Sequence, residues 1–98
     1  MIKLVEIYKS RELGAGNNFT VREVYINPTH VVCLYEDPSM ILNLREGYLP
    51  KDLDQRQTFT KLHLNQGQSV RQMTVIGNIG SVSEKLGLTS NKQQLLHD

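Results

Sequence analysis

The sequence contains few of the residues that mark out particular protein classes. It has one cysteine, three prolines and no tryptophan among 98 residues. A single cysteine excludes an internal disulfide, so we expect a reducing compartment and predict a cytoplasmic protein. Runs of apolar residues stay far below the roughly 18 of a membrane-spanning helix, and charged residues interrupt the N-terminal stretch where a signal peptide has its apolar centre. We therefore expect no membrane partner.

Neither sign of charge is in excess, because eleven Lys and Arg oppose ten Asp and Glu, for a net charge of +1. This balance argues against a nucleic-acid-binding protein, since phosphate contacts require a clear basic excess. The cations are nevertheless unevenly placed. Residues 55–83 contain Arg56, Lys61 and Arg71 and no acidic residue, which leaves −2 for the rest of the chain.

The length and the ordinary composition, 39% hydrophobic and 21% charged, predict one globular domain. We assign this domain to residues 1–88 and a C-terminal tail to residues 89–98.

Alternating and β-branched residues predict strands along most of the domain. Ile2–Tyr8 and Phe19–Ile26 are the first two. His30–Tyr35 is the most apolar run of the chain, so we predict a central strand buried on both faces. We expect a short extended segment over Met40–Leu44 and an irregular surface loop over Arg45–Gln57.

A β-hairpin and a helix are predicted next. Thr58–Leu64 and Gln68–Ile76 flank Asn65–Gly67, which reads as a three-residue hairpin loop with glycine at the left-handed position. Beyond the hairpin the period becomes helical, and Asn78 or Ser81 can cap the helix start. The predicted fold class is α+β, with an antiparallel sheet of five or six strands and one short C-terminal helix.

The three-residue loop places Lys61 directly opposite Arg71, with Phe59 and His63 on the same face. Like charges in this position are unfavourable unless an anion lies between them, and Phe59 offers a ring on which a base can stack. The amides at the start of the predicted helix also attract anions. The candidate ligand-binding residues are Phe59, Lys61, His63, Arg71, Asn78 and Ser81. The alternative is ordinary solvated charge, because a loop of two or four residues would change the register and separate these cations.

Motifs for catalysis and for metal binding are missing. His30 and Cys33 have a ligand-like spacing, but residues three apart on a strand project to opposite faces. The apolar neighbours of Cys33 predict a buried, inert thiol. The serines lack the context of an activated nucleophile. We therefore expect a protein that is not an enzyme and that uses no metal or cofactor.

Three segments of the chain resemble the FlbD-like small proteins. These are Val24–Val32, Thr58–Gly67 and the helix at Val82–Leu86, which give a strand ending near Asn-Pro, an apolar strand, a hairpin and a helix. The FlbD-like pattern has no segment that corresponds to Arg45–Gln57. A looser likeness connects the chain to DNA-binding domains of the LytTR type. In size and strand order it is also similar to small phage proteins that sequester cyclic signalling nucleotides and so blunt host defence.

These observations lead to three hypotheses. The first is a non-enzymatic protein that sequesters a small anionic ligand, a nucleotide or cyclic nucleotide signal, as the viral anti-defence sponges do. Because the core of so short a chain is small, we expect it to work as a homo-oligomer. The second is a DNA-binding transcriptional regulator. The third is a protein-interaction module in which Tyr48, Leu49 and Leu53 of the long loop contact a partner.

Overall fold

The computed structural model describes residues 1–9 and 19–88. The strands are β1 (Ile2–Lys9), β2 (Phe19–Ile26), β3 (Val31–Glu36), β4 (Phe59–Gln66) and β5 (Ser69–Ile76), and the helices are α1 (Pro38–Arg45) and α2 (Ile79–Lys85). A 3₁₀ turn covers Pro28–His30. Neither of these two α-helices is long and apolar enough to cross a membrane. The predicted tail at 89–98 and the loop between the first two strands lie outside the described residues.

All five strands belong to one antiparallel sheet, in the order β2-β1-β5-β4-β3. The predicted α+β class, with a mainly antiparallel sheet and a short helix after the last strand, is confirmed. The number of helices is wrong, because α1 precedes β4.

The sheet is strongly curled. In a flat sheet of this order, β2 and β3 would lie about 19 Å apart, at about 4.8 Å per strand. They are joined by Asn27–His30, a connection that spans at most about 17 Å when fully extended and that is mostly a 3₁₀ turn. The outer strands must therefore bend towards each other. Ile26 of β2 and Val31 of β3 accordingly pack in one hydrophobic cluster.

The inner face of the curled sheet carries the main core, and α2 covers it. Val82 and Leu86 of the helical segment belong to the same hydrophobic cluster as the inner-face residues of the sheet. The buried members of this core are Leu4, Ile26, Leu62, Leu64, Met73, Val75, Val82 and Leu86. The side chain of Asn78 accepts a hydrogen bond from the Ser81 amide at 2.7 Å, so Asn78 rather than Ser81 is the N-cap of α2.

The outer face is partly covered by α1 and the segment that follows it. The prediction of an extended segment over Met40–Leu44 is wrong. Asp37 caps α1 by accepting a hydrogen bond from the Met40 amide, and Pro38 occupies the first turn, where its missing N–H costs nothing. Met40 and Leu44, four residues apart, then share the buried stripe of the helix. The resulting second cluster, which we call the outer-face cluster, contains Ile7, Met40, Leu44, Leu49 and Phe59 as its buried members, with Phe19 packed against it.

β3 is an outer strand, so the prediction of a central strand buried on both faces is wrong. It pairs with β4 along one edge. Val31 and Leu34 pack against the main core, but Cys33 is exposed and Tyr35 is 45% exposed. β-Branched and aromatic residues favour a strand at any position in a sheet, so the apolar run identified the strand but not its place.

The predicted hairpin register is also wrong. Gln66 pairs with Ser69, so the loop has two residues and begins at Gly67, whose φ of +76° suits the first loop position of a type II′ turn. Lys61 lies opposite Thr74, and Arg71 lies opposite Leu64. Because adjacent residues of a strand point to opposite faces, Lys61 and Arg71 are on different faces of the sheet.

Candidate functional site

The six residues predicted as one ligand site are separated in the structure. Phe59 is 1% exposed and packs with Met40 and Leu44, so its ring is not accessible to a stacked base. Arg71 is exposed on the inner-face side, opposite Leu64. Lys61 and His63 alternate with inner-face residues of β4 and therefore lie together on the outer face.

Asn78 and Ser81 lie in a different place, a shallow open cleft where β4 begins and β5 ends. Arg56 and Thr58 line the same cleft. Arg56 is the cation that lines this cleft, and it already forms an ion pair of 3.4 Å with Asp54, which also lines the cleft. The oxygen of Asn78 is occupied by capping α2. Nothing here joins Asn78 and Ser81 to Lys61.

The outer face brings together a different set of residues around Lys61. The pairing of β1 with β2 places Phe19 opposite Lys9. The pairing of β5 with its two neighbours places Thr74 between Ile7 of β1 and Lys61 of β4. Lys9 and Ile7 are two apart on β1, so both point to this face. Side chains from four neighbouring strands therefore meet on one surface next to α1.

These residues line a cavity of about 270 Å³. Its lining includes two cations (Lys9 and Lys61), one carboxylate (Glu6), one amide (Gln72), one aliphatic hydroxyl (Thr74), two thioethers (Met40 and Met73) and two aromatic rings (Tyr8 and Phe19). We call this group the outer-face cavity. The predicted site combined an aromatic ring with two cations, and the cavity has that combination, but with Phe19 in place of Phe59 and Lys9 in place of Arg71.

The carboxylate of Asp37 is hydrogen-bonded to two residues that line the outer-face cavity, Thr74 and Met40. It accepts hydrogen bonds from Thr74 Oγ1 at 2.7 Å, Ser39 Oγ at 2.6 Å and the Met40 amide at 3.3 Å. Lys61 Nζ lies 4.0 Å from Asp37 Oδ2, close enough for attraction but beyond hydrogen-bond distance. Lys61 is therefore held beside the cavity while its N–H groups stay available to another acceptor.

The same contacts set the protonation state of Asp37. Burial on its own raises the pKa of this carboxyl. The hydrogen bonds from Ser39, Thr74 and the Met40 amide, together with the Lys61 charge, outweigh burial, and the pKa lies below its ordinary value of 3.8. Asp37 is consequently a carboxylate at neutral pH, and it partly offsets the charge of Lys61.

His63 lies next to the cavity rather than in it. Tyr35 Oη and His63 Nε2 are 2.8 Å apart, and the two rings meet edge to face with centroids separated by 5.3 Å. His63 is paired in register with Gln72 on one side and with Cys33 on the other. The candidate binding residue His63 thus contacts a tyrosine of β3 and is paired in register with the cysteine of the same strand.

Lys9 and Phe19 line the cavity but are not among the residues predicted from the sequence. They end β1 and begin β2, on either side of residues 10–18, and no motif connects them to Lys61. Pairing the two alternating segments as a hairpin would have placed Lys9 and Phe19 opposite each other. The pairing of β1 with β5, which brings Lys9 towards Lys61, joins strands more than 60 residues apart and leaves no local signal in the sequence.

Among residues 1–9 and 19–88, no three or more His, Cys, Asp and Glu side chains are grouped so that they could hold a metal ion. Comparison with protein-family models, curated proteins and solved structures finds no match to this chain. The likeness to FlbD-like, LytTR and phage sponge proteins remains a prediction.

Proposed function

We propose that this chain is a non-enzymatic binding protein that captures a small anionic ligand carrying a flat ring, a nucleotide or cyclic nucleotide, in the outer-face cavity. The proposal depends on one observation above all. Lys9 and Lys61, which belong to strands that are not neighbours, line the same cavity as the ring of Phe19.

The charges favour an anion. The nearby carboxylate of Asp37 already accepts three hydrogen bonds and can offset one of the two lysine charges. Glu6 also lines the cavity, but it already forms an ion pair of 2.9 Å with Arg22. The positive charges of Lys9, Lys61 and Arg22 therefore exceed the negative charges of Asp37 and Glu6 by one. An ammonium group binds a phosphate by charge attraction and direct N–H donation, and both are stronger in a partly dehydrated cavity than on an open surface.

The apolar side of the cavity suits a ring. Phe19 is half-buried, so its ring is anchored in the outer-face cluster but keeps an accessible part. Stacking of a base on an aromatic side chain contributes about 1–3 kcal/mol and tolerates any base. The amide of Gln72 adds a donor and an acceptor for a base edge.

The size of the cavity limits the ligand. At about 270 Å³ it falls just below the range of about 300–1,000 Å³ that is usual for small-molecule sites. It accommodates a phosphate and one ring, so a larger signalling nucleotide would extend beyond it. A second copy of the chain would then cover the rest, and sequestration by a homo-oligomer, as in the phage anti-defence proteins, follows from this proposal.

Thermal unfolding with a panel of nucleoside monophosphates and cyclic mono- and dinucleotides tests the proposal. A ligand at about a hundred times its Kd adds about 2.7 kcal/mol to the free energy of unfolding. We expect one class of the panel to raise Tm of the native chain and to leave Tm of a Lys9→Ala/Lys61→Ala variant unchanged. Lys51→Ala/Arg71→Ala removes the same charge from two exposed residues outside the cavity and should keep the full shift.

Each other result counts against the proposal. If no compound in the panel raises Tm, the cavity does not bind nucleotides. If both double variants lose the shift equally, binding follows the overall charge rather than the cavity. Steeply salt-dependent binding of duplex DNA, with no response to the small ligands, would favour the DNA-binding regulator instead.

A further inference from the structure

β5 has an unpaired edge although it is the middle strand of the sheet. All eight of its residues pair with β4, but only two of them pair with β1. The β1–β5 ladder ends at the pair Ile7–Thr74. Lys9 and Gln72, two residues further along each strand, line the outer-face cavity instead of pairing. Among the residues that the structure describes, Ser69–Gln72 therefore has no neighbouring strand on the β1 side.

The main-chain groups of Val70 and Gln72 point to this unpaired side. Just beyond the two strands, the Gly77 N–H donates to the Thr58 carbonyl at 2.9 Å, and the β4–β5 register is continuous from there to the hairpin loop. Because hydrogen-bonded pairs alternate along an antiparallel ladder, the odd-numbered residues of β5 direct their N–H and C=O groups to β4 and the even-numbered residues direct theirs away from it. The N–H and C=O groups of Val70 and Gln72 thus have no main-chain partner within residues 1–9 and 19–88.

This edge is more open to another strand than the outer edges of β3 and β2. The register of β3 shifts between Val31 and Cys33, and such a bulge twists an edge away from regular pairing. At the start of β2, the Phe19 N–H already donates to the Tyr48 carbonyl at 3.1 Å. The unpaired half of β5 is regular, and its residues are exposed, Val70 at 69%. A regular, exposed edge is a template for a further extended chain.

The charges around the edge determine which chain fits it. Arg71 lies in the middle of the unpaired half of β5, and Lys9 and Lys61 line the adjoining cavity. Residues 55–83, which include β4 and β5, contain no acidic residue. A second copy paired through the same edge would therefore offer Arg71 only uncharged residues or another Arg71, and like charges in opposite positions are unfavourable. The edge favours an acidic strand from a different protein.

We propose that the unpaired edge of β5 binds an acidic, extended peptide segment of a partner protein, which joins the sheet as an added strand. The segment runs antiparallel to β5, as β1 does. Its residues opposite Val70 and Gln72 exchange main-chain hydrogen bonds with β5. The residue between them lies opposite Arg71, in the non-hydrogen-bonded position where side chains are closest. An acidic residue there pairs with Arg71, and a second one opposite Gln72 lies on the face that carries Lys9 and Lys61.

NMR titration of the native chain with the peptide Ac-Thr-Glu-Glu-Val-Thr-NH2 tests the proposal. In the free chain, the amides of Val70 and Gln72 should exchange with solvent faster than those of Arg71 and Met73, which are directed to β4. The peptide should slow exchange at Val70 and Gln72 and shift their resonances in a saturable way. N-methylation of the peptide's first glutamate and valine, whose N–H groups face β5, should abolish this effect. N-methylation of the second glutamate, whose N–H points away from β5, should preserve it.

A charge exchange tests the pairing with Arg71. Arg71→Glu should weaken binding of this peptide about fivefold, as expected for an opposed cross-strand pair that becomes a like-charged one. The peptide Ac-Thr-Glu-Lys-Val-Thr-NH2 should bind Arg71→Glu more tightly than it binds the native chain. Lys51→Glu makes the same change of charge at an exposed residue outside the sheet and should bind both peptides as the native chain does.

Three results would overturn the proposal. The first is that no peptide shifts the Val70 and Gln72 amides, and the second is that the doubly N-methylated peptide binds as tightly as its parent. Both use the native chain, so they do not depend on the folding of a variant. The third is that these amides become protected in the free chain as its concentration rises, because a second copy then covers the edge. None of these results affects the proposed nucleotide function, since neither Val70 nor Arg71 lines the outer-face cavity.

Discussion

The carboxylate of Asp37 accepts a hydrogen bond of 2.7 Å from the hydroxyl of Thr74, a residue 37 positions further along the chain. Both groups are buried, Asp37 at 4% and Thr74 at 6% exposure. Asp37 simultaneously caps α1, while Thr74 lies on β5, the middle strand of the sheet. This hydrogen bond therefore fixes the start of α1 to the sheet at the edge of the outer-face cavity.

Replacement of Asp37 should destabilise the fold more than loss of a surface charge. Asp37→Ala removes the cap of α1 and leaves the Thr74 hydroxyl buried without this acceptor. Loss of a cap costs about 0.5–2 kcal/mol, and an unsatisfied buried donor costs about 1–3 kcal/mol. We expect a total loss of about 2–4 kcal/mol by urea denaturation. Asp37→Asn keeps a good capping oxygen and should lose less than half of that amount.

A double-mutant cycle isolates the hydrogen bond. Thr74→Val keeps the shape of the side chain and removes the hydroxyl, so its effect should overlap with that of Asp37→Ala. We expect the two losses to be non-additive by about 1 kcal/mol, as for residues in direct contact. Additive losses would mean that the two residues stabilise the fold independently.

Stability should also depend on pH through Asp37. Its pKa is lower in the folded protein than the ordinary value of 3.8. The carboxylate form is therefore favoured by folding, and its contribution to the free energy of unfolding is complete above about pH 5 and declines as pH falls below 3.8. The difference in urea midpoint between the native chain and Asp37→Asn should be constant near pH 5 and above, and should shrink as pH falls below 3.8 and through the lowered pKa of folded Asp37. A constant difference across this range would show that the charge of Asp37 does not contribute.

The strands near the chain start and α2 could be predicted because their signals are local. Residues of Ile2–Lys9 alternate between the two faces of a strand pattern, and Phe19–Ile26 is rich in β-branched and aromatic residues. Asn78 caps a short helix that has an apolar stripe. Asp37 and Pro38 carried an equally local signal for α1. The apolar residues Met40–Leu44 after them fit a short strand as well as one helical stripe, and periodicity alone does not separate the two over five residues.

The candidate site could not be predicted to the same extent, because it depends on register. The observed loop is one residue shorter than predicted and begins two residues later, so the register is shifted by three residues. This odd shift places Arg71 on the other face from Lys61 and leaves the six predicted residues in separate places. Lys9 comes close to Lys61 through the pairing of β1 with β5, which no local pattern in the sequence indicates. Cys33 is exposed for a related reason, since β3 is an outer strand.

The two phenylalanines should behave differently. Phe59 is 1% exposed in the outer-face cluster, so Phe59→Ala should cost about 3–5 kcal/mol of stability. Phe19 is half-buried and lines the cavity. Phe19→Ala should cost less than half as much stability but should weaken nucleotide binding about tenfold, the equivalent of one stacking contact. Chemical denaturation and ligand titration of both variants provide the comparison, and a larger loss of stability for Phe19→Ala would contradict it.

Replacement by alanine should lower the free energy of unfolding at one glycine, Gly67, but not at another, Gly80. Gly67 opens the β4–β5 loop with a φ of +76°, and a Cβ there would meet no atom within 4 Å. Gly67→Ala therefore costs only the strain of a left-handed backbone, about 1–2 kcal/mol. Gly80 lies in α2 with an ordinary φ, and a Cβ there would make an ordinary contact of 3.4 Å with Asn78 Oδ1. Gly80→Ala should leave stability unchanged or raise it by up to about 1 kcal/mol, because alanine favours a helix over glycine. Urea midpoints distinguish the two cases, since a loss at Gly80 equal to that at Gly67 would mean that the added methyl disturbs the Asn78 cap.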